Sequence, residues 1–187
     1  DRFDFESVSG YEREFAVAIF AALSGLSHLE LIRDENAVVA RTNLGKPKRF
    51  LIAGHIDTVP VANNLPAQLH HFEREQAIVG RGAVDMKNMD AMILATVRDW
   101  ARTGYVPDRD IVLAFFADEE AGSVYGSHFM VKNHPEVFAG CTEAVSEVGG
   151  FSVTVAGGKR LYLIETAEKG IHWMRLTAEG RAGHGSM

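Results

Sequence analysis

Hydrophobic positions follow two rhythms along the chain. Tyr11, Phe15, Ile19 and Ala22 recur every three or four residues and stop at Gly25, the spacing of one helix face. Ser9-Gly10-Tyr11-Glu12 just ahead has the Ser-x-x-Glu form of a capping box, so a first helix is predicted to begin there. The same spacing returns after Asp85 in Met86, Met89, Ile93, Leu94, Val97, Trp100 and Ala101, and ends at Gly104. Other apolar runs are short, rich in β-branched residues and bounded by Asn or Gly, which predicts strands over 29–33, 37–42, 49–53, 143–146 and 161–164. The segment 125–131 reads as a short helix, and from about Gly170 the pattern of Ile171, Trp173, Arg175, Leu176, Thr177 and Ala178 predicts a strand that opens a new unit. The run 111–117 is apolar without a break, as in a strand covered on both faces. These elements predict an α/β fold with a central, mostly parallel but mixed sheet and helices on both faces, a three-layer sandwich.

Composition narrows the class. With 187 residues, 47% of them hydrophobic and 24% charged, the chain can bury one sizeable core. A net charge of -6 and the absence of any Lys/Arg run disfavour nucleic acid and anionic membranes as partners. Cys141 is the only cysteine, which excludes an internal disulfide and a Cys-based zinc knuckle, and makes the cytoplasm the expected location. No basic-then-apolar leader and no apolar run near the roughly 18 residues of a membrane span are visible, so neither export nor spanning is expected. The chain starts without Met and stops at Gly183-His184-Gly185-Ser186-Met187, so both ends look like cuts in a longer polypeptide.

Acidic residues and one histidine lie just past the C-terminal ends of predicted strands, where the loops of an α/β sheet collect ligands. A neutral imidazole at His55 can bind a metal, and Asp57, two residues on, can hold its other ring nitrogen. Gly80 and Gly82 bracket a turn that delivers Asp85 to the second helix, where its two oxygens could bridge two cations or one could cap the helix. Those glycines form no dinucleotide fingerprint and no P-loop Lys-Ser/Thr follows, which argues against nucleotide binding. Asp118-Glu119-Glu120 end the most apolar strand; crowding like charges there is costly without a cation, and one acid can ligate while its neighbour acts as general base. Glu147 ends another short apolar stretch. Singly, His55 with Asp57 reads as well as a loop pair in solvent, Asp85 as well as a helix cap, and Glu147 more readily as a solvated residue, whereas an exposed turn is the lesser reading of 118–120. Together His55, Asp85, Glu120 and Glu147, separated by 30, 35 and 27 residues, make a hard, oxygen-rich set that suits zinc, cobalt or manganese better than copper or an iron–sulfur cluster.

In this order the motifs resemble the dinuclear zinc peptidase and deacylase family that includes glutamate carboxypeptidases, aminoacylases, acetylornithine deacetylase and succinyl-diaminopimelate desuccinylase. The resemblance implies a zinc-exopeptidase-like fold holding two Zn2+ ions, with Co2+ or Mn2+ as substitutes. His55 would bind one, Asp85 would bridge both, Glu120 would bind the second, and Glu147 would complete the first. It further implies Glu119 as general base, Asp57 as the carboxylate supporting the metal-binding histidine, and a cis peptide between Asp85 and Met86. The expected reaction is hydrolysis, by a water shared between the cations, of an N-acyl amino acid or of a C-terminal peptide bond, as in a carboxypeptidase or deacylase. Residues 1–169 would form an incomplete catalytic domain and residues 170–187 the start of a lid and dimerisation domain, in a parent that is a homodimer. Within that lid segment His184 matches a histidine that polarises the substrate carbonyl. The family's last metal-ligating histidine has no counterpart in this chain. Gly54-His55-Ile56-Asp57-Thr58-Val59-Pro60 looks like actinobacterial-type desuccinylases, whereas Asp85-Met86-Lys87-Asn88-Met89-Asp90-Ala91-Met92 and Glu165-Thr166-Ala167-Glu168-Lys169-Gly170 look like the carboxypeptidase and aminoacylase branch. Two alternatives stand beside this: a zinc aminopeptidase, and a non-catalytic metal-binding fragment.

Overall fold

The computed structural model describes residues 7–26, 29–34, 37–60, 68–72, 75–147 and 152–164, together with 167, 170, 172, 174–177, 179, 180 and 183. The chain divides into two compact units, residues 1–147 and 148–187.

The first unit is organised by its most apolar strand. Its strands are β1 (Leu29–Asp34), β2 (Ala37–Thr42), β3 (Arg49–His55), β4 (Gln68–Phe72), β5 (Glu75–Val79), β6 (Asp110–Phe116) and β7 (Cys141–Val145); its helices are α1 (Arg13–Ser24), α2 (Lys87–Thr103) and α3 (Ser127–Asn133). Every residue of β6 is buried, the signature anticipated from its unbroken apolar run. Alternation sends Ile111, Leu113 and Phe115 to one face, where Phe15, Ile19 and Leu23 of α1 and Ile93, Leu94 and Val97 of α2 meet them. Val112, Ala114 and Phe116 go to the other face, against Met130 of α3 and Val137. The result is the three-layer α/β sandwich expected. Each large apolar side chain so buried contributes about 1.5–3 kcal/mol.

The main sheet has the order β1-β2-β6-β3-β7. β3 runs parallel to both β6 and β7, whereas β1–β2 and β2–β6 are antiparallel, so the sheet is mixed. Register decides where the strands end. Arg49 pairs with Asp110 and the ladder continues in step to His55 opposite Phe116, so β3 and β6 end at one level. The Ile56 amide then donates to the Phe116 carbonyl at 2.9 Å. The loops after both strands therefore leave from the same rim.

Several local expectations shift. α1 starts at Arg13 and the Glu12 side chain makes no capping hydrogen bond, so Ser9-x-x-Glu12 is not a capping box; both side chains are drawn to tertiary partners. α3 begins two residues later than expected, and β7 runs 141–145 instead of 143–146. The hairpin of β4 and β5, antiparallel from Gln68 opposite Val79 to Phe72 opposite Glu75, was not anticipated. α2 ends as expected at Gly104, which takes the left-handed conformation at φ 72°.

In the second unit, β8 (Ser152–Thr154) and β9 (Arg160–Tyr162) form an antiparallel pair, with Ser152 opposite Tyr162. β9 lies a residue earlier than the strand expected over 161–164. Of the strand expected from about residue 171, positions 171, 173 and 178 lie outside the described residues, and 172 and 174–177 are in no strand. No described helix is long and apolar enough to cross a membrane.

Candidate metal centre

Four loops at the common rim bring the candidate residues together. His55 is the last residue of β3 and is buried. Its amide donates to the Met86 sulfur at 3.1 Å, which fixes the strand end against the start of α2. Asp85 arrives through the turn ahead of α2, closed by the Ala83 amide on the Gly80 carbonyl and the Lys87 amide on the Gly82 carbonyl. Gly82 is needed there: its φ is 77°, and a Cβ would stand 2.9 Å from Thr58 Cγ2. Asp85 is not the helix cap, a position held by Met86, and the Asp85–Met86 peptide is cis as the resemblance implied.

His55 Nε2 lies 3.0 Å from Asp85 Oδ1 and 3.1 Å from Glu147 Oε2, with Glu119 Oε2 at 3.9 Å. Nδ1 lies 3.0 Å from the Asp57 carbonyl oxygen and 3.3 Å from Asp57 Oδ1. Of the anticipated ligands, His55, Asp85 and Glu147 thus offer donor atoms within 4.8 Å of one another. Glu120 stands outside that trio, although the Asp85 charge still acts on it. His184 lies outside the described residues.

Electrostatics register the crowding. Burial would lower the His55 pKa, but the hydrogen bond to Asp57 and the charges of Glu147, Asp57 and Glu119 outweigh it and lift the value to about 10. The carboxyls of Glu119, Glu120 and Glu147 are all raised, first by burial and then by neighbouring carboxylates, against the opposing pull of His55. Among the described residues the rim is a set of mutually repelling acids around one buried imidazole, which is what a divalent cation would relieve. One imidazole nitrogen and several carboxylate oxygens fit Zn2+ by donor chemistry.

Asp57 is the residue whose importance exceeds its sequence signal. It is fully buried, and its Oδ1 accepts the Glu119 amide while Oδ2 accepts the Glu120 amide, both at 3.0 Å. The Ser9 hydroxyl donates to Oδ2 at 2.7 Å. Burial pushes the Asp57 carboxyl up, but His55, Ser9 and those two amides hold it below the usual range. One carboxylate thereby orients the histidine and fixes the turn carrying Glu119 and Glu120. Ser9, Glu12 and Met86 were missed as site supports; Ser9 and Glu12 were hidden because their spacing imitates a capping box.

The profile of Peptidase family M20/M25/M40 matches residues 51–178, well over half of the chain. The chain belongs to that family. A Mycobacterium tuberculosis protein provisionally named as the succinyl-diaminopimelate desuccinylase DapE is 43% identical over 121 residues, 64% of this chain and 32% of that one. The succinyl-diaminopimelate desuccinylase of Corynebacterium glutamicum is 33% identical over 184 residues, 97% of this chain and 46% of its own. Aminoacylase-1 of Sus scrofa is 33% identical over 141 residues, 73% of this chain and 33% of its own. The chain thus spans about a third to a half of the relatives it matches. Among solved structures, an M20 family metallo-carboxypeptidase of Sulfolobus solfataricus has a TM-score of 0.61 at 20% identity, covering 77% of this chain and 35% of that one, a likeness that shows the fold.

Proposed function

We propose that this M20/M25/M40 chain carries the metal centre of a hydrolase that cleaves an amide bond of an N-acyl amino acid or a C-terminal peptide bond. The observation that carries the reading is the convergence of one donor atom each of His55, Asp85 and Glu147 within 4.8 Å, beside the carboxylate of Glu119. Similarity to desuccinylases and to an aminoacylase supports the substrate class. His55, Asp85 and Glu147 would hold one Zn2+, and Asp85 with Glu120 would hold a second. Zinc bound there supplies Lewis acidity toward the scissile carbonyl and acidifies a water. Glu119, with its raised pKa, takes the proton of the attacking water and returns it to the leaving amine. Asp57 keeps His55 oriented for binding through Nε2. His184 acts on the substrate carbonyl from the lid segment. Residues 1–169 belong to the catalytic domain and residues 170–187 begin the lid and dimerisation domain of a cytoplasmic homodimer.

The test is zinc content after loading and removal of free ion, beside hydrolysis of an N-acyl amino acid and of an amino-acid anilide. One or two tightly held ions, lost in Asp85→Ala, with cleavage of the N-acyl substrate abolished in a metal-retaining Glu119→Gln, is the expected result. Cleavage of the anilide alone makes it an aminopeptidase, and no metal in a folded chain overturns the reading.

A further inference from the structure

We propose that Ser9 and Glu12 are positioning residues for the turn that carries Glu119, acting as an N-terminal strap clamped under the metal rim. The inference rests on the proposed role of Glu119 as base. Segment 7–12 runs alongside the loop after β3: the Thr58 amide donates to the Ser7 carbonyl at 2.8 Å, Val8 bridges Thr58 in parallel, and the Tyr11 amide returns to the Val8 carbonyl. From this strap two side chains reach the same turn by different routes. The Ser9 hydroxyl donates to Asp57 Oδ2, the oxygen that also accepts the Glu120 amide. Glu12, itself buried, accepts the Asp118 amide on Oε1 at 3.2 Å.

The turn needs such help. Asp118 sits at φ 63°, a left-handed conformation that an L residue other than glycine holds only with local support. Its other bonds among the described residues fold the turn upon itself: its carbonyl accepts the Ser123 amide, and its Oδ2 accepts the Tyr125 amide. What docks the amides of residues 118, 119 and 120 to the rest of the molecule is Glu12 on one side and the Asp57 carboxylate on the other. Three successive N–H groups thus end on two buried carboxylates, one belonging to the strap and the other steadied by its hydroxyl. A base misplaced by about 1 Å loses much of its effect on rate, so the strap controls turnover without touching substrate.

Amide hydrogen exchange and kinetics together test this. In Glu12→Ala and Ser9→Ala, exchange at Asp118, Glu119 and Glu120 should quicken about tenfold or more while β2 amides stay protected. In a zinc-loaded preparation that turns over substrate, kcat should fall about tenfold with KM unchanged. Glu12→Gln and Ser9→Thr, which keep the accepting oxygen and the hydroxyl, should restore both readouts. Unchanged exchange in the turn, faster exchange throughout the sheet, or a rise in KM with kcat intact would overturn the strap. Turnover surviving Glu119→Gln would overturn the base assignment instead, leaving the exchange result to stand on its own.

Discussion

Two aspartates, Asp57 and Asp90, are each 0% exposed, and they are opposites. Asp57 accepts the Ser9 hydroxyl and two backbone amides beside His55, and its pKa is lowered. Asp90, in the first turn of α2, has no hydrogen-bond partner on either oxygen among the described residues, and burial lifts its pKa to about 8 despite the opposing charges of His55 and Lys87. Burial raises both carboxyls; only a set of converging donors reverses the direction. Asp57 is a fixed anion built into the site. Asp90 is a neutral acid at moderate pH, packed behind the strand that ends in His55.

The largest effect that would test this contrast is on stability against pH in the metal-free protein. Unfolded Asp90 ionises near 3.8 while the folded carboxyl stays protonated to about 8. The unfolded chain then binds fewer protons between those values, so Asp90 lowers stability progressively as pH rises from about 4 to about 8, with no further loss above. At roughly 1.4 kcal/mol per tenfold difference in proton affinity the full penalty is of the order of 5 kcal/mol. Asp90→Asn should therefore be more stable than the parent at pH 9 by several kcal/mol in urea unfolding, the gap closing near pH 4. Parallel curves for the two proteins would mean that Asp90 is solvated or paired after all.

Asp57→Asn should act in the other direction. It puts an amide nitrogen where Oδ1 or Oδ2 now accepts an N–H, and should cost about 3 kcal/mol at neutral pH together with loss of divalent-metal affinity. A loss below about 1 kcal/mol would show that the clamp adds little. A smaller effect joins the two regions. A Cβ on Gly54 would lie 2.6 Å from Asp90 Oδ1 and 3.0 Å from Met86 Cε, so Gly54→Ala should destabilise by about 2 kcal/mol. Combining it with Asp90→Ala should recover about half of that if the carboxylate is the main obstacle, a coupling that a double-mutant cycle in urea measures directly.

How much of this was legible varied with the kind of signal. The β6 run and the 3–4 spacing of α2 were plain because burial on one face or two writes itself into apolar period. His55, Asp85, Glu119, Glu120 and Glu147 were visible because one histidine and four acids fall in the order of a known family's motifs, although each alone has a bland reading. The β4–β5 hairpin was not: Gln68-Leu69-His70-His71-Phe72 is mostly polar, and residues 68–71 are all exposed. Asp90 could have been noticed, since it falls four residues after Met86 and three before Ile93, on the apolar stripe of α2. Ser9 and Glu12 could not have been told from a capping box, because a four-residue spacing says nothing of partners many positions away.

Those separations also constrain how the molecule comes to exist. The contacts that build the rim join residues 30, 48, 62, 92 and 106 positions apart. Loop closure of that length must be met before any of these contacts is gained, so the rim cannot form ahead of the sheet that aligns it. A chain not yet extended through Glu147 lacks the last carboxylate of the trio. Capture of a cation by the whole trio therefore depends on a sheet already aligned, and cannot be the event that nucleates it.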